Sequence, residues 1–165
     1  MRATLLTLAL MFSACGSPVP VTSTCDGGGC SCTGKKCGCS GGTCNVVAAP
    51  GSDLECGTTS ACKGSVAEGA SVACNDSAKC DLTAPGKADF SCNNASDCEL
   101  KVGAGTTITC NNAADCTAQC TGACTMTCTN AATCRCEGAG CSLTCPNGAG
   151  ATSCPNNTKV CNRAC

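Results

Sequence analysis

Apolar and polar residues alternate in short runs along this chain. Between Cys92 and Thr109 (CNNASDCELKVGAGTTIT), Cys98, Leu100 and Val102 alternate with Glu99 and Lys101. Further on, Ile108 and Cys110 alternate with Thr107 and Thr109. Period-two alternation sends one set of side chains to each face of a strand, so the stretch predicts two short β-strands. Gly103-Ala104-Gly105 supplies a corner between them, and an Asn-rich step after Cys92 supplies the other.

The same unit recurs. Cys56, Cys74, Cys92, Cys110 and Cys128 are 18 residues apart, and so are Cys62, Cys80, Cys98, Cys116 and Cys134. Interior positions line up across the repeats as Val72, Phe90, Ile108, Met126, Leu143, as Leu82, Leu100, Ala118, and as Val66, Ala84, Val102, Cys120. Outward positions carry Lys, Glu, Asp, Ser and Thr. A strand pair that returns every 18 residues with matching columns describes an all-β fold, a flattened parallel β-solenoid stapled by disulfides. Its coils would stack at about 4.8 Å. Asp76, Asn94, Asn112, Asn130 and Asn147 share the second place after a cysteine, where Asn tolerates the left-handed backbone of a tight corner and amides can bond up the column. The opposite corner is Gly-rich or Pro-Gly, as at Pro50-Gly51 and Pro85-Gly86. Both ends break the period and read as irregular Cys-rich caps. The expected divisions are a signal at 1–14, a tether at 15–24, a cap at 25–44, repeats at 45–145 and a second cap at 146–165.

Composition explains what must hold such a stack together. The chain has 165 residues, of which 25 are cysteine, with no His, Trp or Tyr. After residue 14 the large apolar side chains are eight Val, four Leu, Ile108, Met126 and Phe90, too few for an ordinary core. The missing His excludes His-based catalysis and His-ligated metals. A net charge of −1 supplies no basic field for nucleic acid. The C-x-x-C redox motif is absent, and the acids sit on outward columns, so no enzyme is expected.

Arg2 followed by the apolar stretch Leu5 to Phe12 (LLTLALMF), too short to span a bilayer, reads as a secretory signal. It runs into Phe12-Ser13-Ala14-Cys15, which resembles the lipobox of bacterial lipoproteins, with Phe12 where Leu is usual. The resemblance implies a lipid anchor on Cys15, and hence a membrane partner. Gly16 stands where Asp would mark inner-membrane retention, so the resemblance points to the outer membrane. The competing reading is a conventional signal that leaves Cys15 a free thiol. Parity favours the lipid, because setting Cys15 aside leaves 24 cysteines, enough for twelve disulfides. Gly16 to Thr24 (GSPVPVTST) is a Pro/Ser/Thr tether.

Pairing follows from strand geometry. Residues two apart in a strand lie about 6.6 Å from each other with parallel side chains, so C-x-C pairs do not bridge internally. Vertical bridges between coils would strand one cysteine in each five-membered column, whereas bridges across the Asn-rich corner strand none. The expected pairs are therefore Cys56–Cys62, Cys74–Cys80, Cys92–Cys98, Cys110–Cys116 and Cys128–Cys134. Cys120–Cys124 and Cys136–Cys141 close the opposite corner. Cys25–Cys30, Cys32–Cys37 and Cys39–Cys44 tie the first cap, and Cys145–Cys154 and Cys161–Cys165 the second.

Three other chemistries compete for these residues. The segment Cys25, Cys30, Cys32, Cys37, Cys39, Cys44, with Lys35 and Lys36, resembles metallothionein in local style, which implies soft-metal binding by thiolates. Secretion favours a disulfide cap instead. The outward row Thr107/Thr109, Thr125/Thr127, Ser142/Thr144 looks like a short version of the T-x-T ranks of insect ice-binding solenoids, although earlier coils put Ser71/Ala73 and Asp89/Ser91 there and Thr is a good outward strand residue anyway. An 18-residue coil also matches calcium-binding β-rolls, but the GGxGxD string is missing and Lys79 precedes Asp97 and Asp115 in its column. The resulting expectation is a lipid-anchored, disulfide-rich envelope protein with no cofactor. Its role would be structural or interactive toward a protein or glycan partner. Thiol-based metal binding is the rival.

Overall fold

A computed structural model of the chain describes residues 22–165. The expected signal, Cys15 and most of the tether lie outside the described residues. The strands are β1 (Thr24–Gly27), β2 (Cys30–Thr33), β3 (Lys36–Ser40), β4 (Thr43–Ala48), β5 (Asp53–Gly57) and β6 (Ala61–Val66). They continue with β7 (Ser71–Cys74), β8 (Lys79–Gly86), β9 (Asp89–Cys92), β10 (Asp97–Ala104), β11 (Thr107–Cys110) and β12 (Asp115–Cys120). The last are β13 (Cys124–Cys128), β14 (Thr133–Glu137), β15 (Cys141–Thr144), β16 (Thr152–Cys154) and β17 (Thr158–Cys161).

Successive strands alternate between two sheets, as the period requires. One sheet runs β1-β4-β6-β8-β10-β12-β14-β17-β16 and the other β15-β13-β11-β9-β7-β5-β3-β2. The central pairs are parallel and offset by one coil, so Cys80, Cys98 and Cys116 stand side by side on one sheet and Cys92, Cys110 and Cys128 on the other. This is a parallel β-solenoid of 18-residue coils. Alternation is realised residue by residue: β4 and β8 each place every second side chain inside.

The inward columns stack as the sequence pattern requires. Leu54, Val72, Phe90, Ile108, Met126 and Leu143 follow one another through the second sheet, all buried except half-buried Leu143. Leu82, Leu100 and Ala118 do the same in the first sheet. Each fully buried aliphatic side chain contributes about 1.5–3 kcal/mol. Between these columns the space is filled by sulfur and by small residues such as Ala78, Ala88, Ala114 and Ala132.

The Asn-rich corner is a two-residue primed turn. The Asn93 carbonyl accepts a hydrogen bond from the Ser96 N–H at 3.2 Å, with φ of 55° at Asn94 and 59° at Ala95. The corners at Asn75–Ala78 and Asn111–Ala114 repeat this, with positive φ at Asp76, Ser77, Asn112 and Ala113. Positive φ at both central positions defines the type I′ turn, and Asn and Asp adopt it at less cost than other non-glycine residues. Side-chain amides join the coils: Asn94 Nδ2 donates to Asp76 Oδ1 (3.1 Å), Asn112 Nδ2 to Asn94 Oδ1 (3.3 Å) and Asn130 Nδ2 to Asn112 Oδ1 (2.9 Å).

The opposite corner differs in detail from the expectation. Gly103 and Ala104 belong to β10 and Pro85-Gly86 to β8, so those strands run further than the Gly and Pro suggest. The chain turns at Gly105, with φ 77°, and at Lys87, with φ 41°. Gly103 is needed for approach, not for turning: a Cβ there would sit on the Pro85 carbonyl oxygen.

Antiparallel strands close the N-terminal end of both sheets and the C-terminal end of the first, while β15, parallel to β13, is the edge of the second. β1 pairs with β4 and β2 with β3 at the N-terminal end, while β17 pairs with β14 and β16 with β17 at the other. At these three ends a reversed strand covers the last parallel edge, which limits growth there by addition of another chain.

Candidate functional site

The chemistry-bearing groups of this chain are its sulfurs, and the two-sheet stack brings them into ranks. At the Asn-rich corner a cysteine ending a strand of one sheet faces a cysteine opening a strand of the other. Cys56–Cys62, Cys74–Cys80, Cys92–Cys98, Cys110–Cys116 and Cys128–Cys134 bridge there, with Cα separations of 6.2–6.6 Å. These distances fall in the normal range for a disulfide. Cys39–Cys44 continues the rank one coil below, because Cys39 is in register with Cys56 and Cys44 with Cys62. Cys25–Cys30 ties β1 to β2 across the two sheets, Cys32–Cys37 ties the β2–β3 hairpin, and Cys120–Cys124 and Cys136–Cys141 staple the glycine-side corner.

The last two bridges correct the expectation. Cys145 pairs with Cys161, and Cys154 with Cys165, in place of Cys145–Cys154 and Cys161–Cys165. The reason is the chain reversal. β17 runs antiparallel to β14 and sets Cys161 beside Cys134, while Cys145 directly follows the strand whose Thr144 lies beside Thr127. Cys145–Cys161 is therefore the same corner staple, one layer above Cys128–Cys134. The corner rule persists in space although the sequence separation grows to 16. Cys154–Cys165 then fastens the C-terminal segment to the closing hairpin.

Sulfurs of adjacent layers approach closely. Those of Cys56, Cys74 and Cys80 lie within 4.8 Å of one another, as do those of Cys74, Cys92 and Cys98. A group of four forms at the glycine-side corner, where Cys120, Cys124, Cys136 and Cys141 all lie within 4.8 Å. Among the described residues, none of these groups draws on Cys25, Cys30, Cys32, Cys37, Cys39 or Cys44. The convergent four-sulfur cluster is therefore not in the segment that resembles metallothionein. Its only signal in the sequence is the appearance of cysteine in columns that hold Val, Leu, Ala, Ser or Thr in earlier coils.

The outer faces carry ordered polar rows. Thr107, Thr125 and Ser142 are adjacent on one sheet, and so are Thr109, Thr127 and Thr144. Asp89 and Ser91 precede them, as the sequence requires. The other face is charged, with Lys63 beside Asp81 and Asp81 beside Glu99, and with Lys79 beside Asp97 and Asp97 beside Asp115. Asp115 is claimed by Arg163, whose Nη1 lies 2.9 Å from Oδ1. A depression of about 370 Å³ on this face is lined by Thr43, Lys63, Lys79, Asp81, Asp97 and Glu99. It mixes both charge signs on an open surface. At the glycine-side corner Lys87 bonds Glu68 at 2.7 Å, and that hydrogen bond, with the carboxylate charge, holds the ammonium above its ordinary pKa. Both groups are exposed, so the pair adds little stability.

Comparison with protein-family models, with curated proteins and with solved structures gives no match.

Proposed function

We propose that this chain is a lipid-anchored strut of a bacterial cell envelope, a non-catalytic spacer that presents two flat polar faces to a protein or glycan partner. The observation that carries the reading is the continuous rank of corner staples from Cys39–Cys44 to Cys145–Cys161. Cross-linking every layer suits a stiff element in an oxidising compartment. The regular outward columns of Thr, Ser, Lys, Asp and Glu suit contact with an extended surface better than capture of a small molecule. The lipobox-like Phe12-Ser13-Ala14-Cys15 and the even count of the remaining cysteines support the anchor. The outer membrane is the location that Gly16 favours.

The anchor is tested by replacing Cys15 with Ser and partitioning extracts between detergent and water. The unmodified protein should enter the detergent phase and Cys15→Ser the aqueous phase, with folding unchanged. A protein with native Cys15 that stays in water after signal removal would refute the lipoprotein reading.

A further inference from the structure

We infer that Cys120, Cys124, Cys136 and Cys141 form a redox-gated metal centre that, once reduced, holds a soft divalent ion of the zinc class through four thiolates. Three observations converge on this corner. First, the four sulfurs are already gathered at one corner, as two disulfides side by side. All lie within 4.8 Å of one another, and Cys120 Sγ and Cys136 Sγ, which are not bonded to each other, are 3.9 Å apart. A tetrahedral Zn–thiolate site with bonds near 2.3 Å has sulfur–sulfur edges of about 3.8 Å.

Second, the cysteines are surplus to closing the corner. Cys124 and Cys141 occupy the inward column held below by Ser52, Ala70, Ala88 and Thr106, all buried. Cys120 stands beside Val102, and Cys136 beside Ala118. Earlier coils make the same corner without sulfur, so two bridges in consecutive coils are unexplained by architecture alone.

Third, the surroundings suit an anionic cluster. The half-buried Lys159 donates from Nζ to the Cys141 carbonyl oxygen at 2.8 Å, which fixes a cation beside the site. The Thr106 hydroxyl, in the layer directly under Cys124, is buried without a hydrogen-bond partner.

The chemistry balances. Each disulfide takes two electrons from a dithiol reductant, which leaves as its own disulfide, yielding two thiolates and releasing two protons. Four thiolates then displace water from the aquated ion.

The test uses full-length protein under anaerobic conditions with cobalt(II) as the spectroscopic probe. A phosphine, limited to two equivalents per chain so that the other corner staples survive, serves as the reductant, and is itself oxidised to phosphine oxide with oxygen from water. Tetrahedral cobalt–thiolate bands should develop to one cobalt per chain. Alkylation followed by peptide mapping should show Cys120, Cys124, Cys136 and Cys141 reduced but protected. The double variant Cys120→Val/Cys124→Thr copies the coil below, which has Val102 and Thr106, leaves no lone cysteine and should abolish the cobalt bands. Cys136→Leu/Cys141→Ala, which borrows the residue types of Leu100 and Ala88, should do the same from the neighbouring coil. Absence of tetrahedral cobalt in the unaltered protein, protection of other cysteines, or an unchanged spectrum in either folded double variant would overturn the inference.

Discussion

A single asparagine shows how much of this fold rests on backbone conformation. Asn112 has φ 53° and links two neighbours through its amide, donating to Asn94 and accepting from Asn130. Asn112→Val should cost roughly 1–2 kcal/mol from the left-handed backbone alone, with the ladder bonds lost in addition. Asn112→Gly keeps the conformation and loses only the amide contacts. Denaturation with the disulfides intact should therefore rank Gly above Val in stability, and the reverse order would contradict the corner geometry. Gly103 makes the complementary case. Its substitution by Ala puts a methyl on the Pro85 carbonyl, and the loss should reach the upper part of the ~1–3 kcal/mol typical of overpacking. The Asn corner was legible in the sequence because Asn94, Asn112 and Asn130 repeat the residue in successive coils, with Asp76 before them. The role of Gly103 was not, because a close approach between neighbouring coils leaves the same mark as a turn.

Strands and corners were legible where direction is conserved and illegible where it reverses. Every parallel layer repeats a cysteine at a fixed offset, so column arguments locate both partners of a staple. At the C-terminal end the second partner, Cys161, arrives on a strand running the other way, after the β16 turn. Alternation of apolar and polar residues is the same in either direction, so β17 carries no mark of its reversal. The closing hairpin also has a testable duty. Removing residues 146–165 together with Cys145→Ser, which avoids a lone thiol, leaves β14 without its antiparallel cover. Such a chain should self-associate by strand addition at β14 more strongly than the full chain, as seen by light scattering. A truncated chain with unchanged size would show that the hairpin is dispensable for edge protection.

Across the whole molecule, sulfur replaces the hydrocarbon core that the composition lacks. A seven-residue loop closed by one bridge gains about 2 kcal/mol in the chain-entropy model, and the rank repeats this in every layer. Complete reduction should abolish the strand signal in circular dichroism along the entire stack, not only at its ends. Function is less legible than fold for a physical reason: the convergent groups are buried sulfurs, while the outer columns are regular rows with no centre. The pairing pattern is the most direct test of the account. Digestion without reduction, followed by mass spectrometry, should find Cys56–Cys62, Cys74–Cys80, Cys92–Cys98, Cys110–Cys116, Cys128–Cys134 and the long-range Cys145–Cys161. Predominant bridges between residues one coil apart, such as Cys74–Cys92, would contradict a solenoid stapled across its corners.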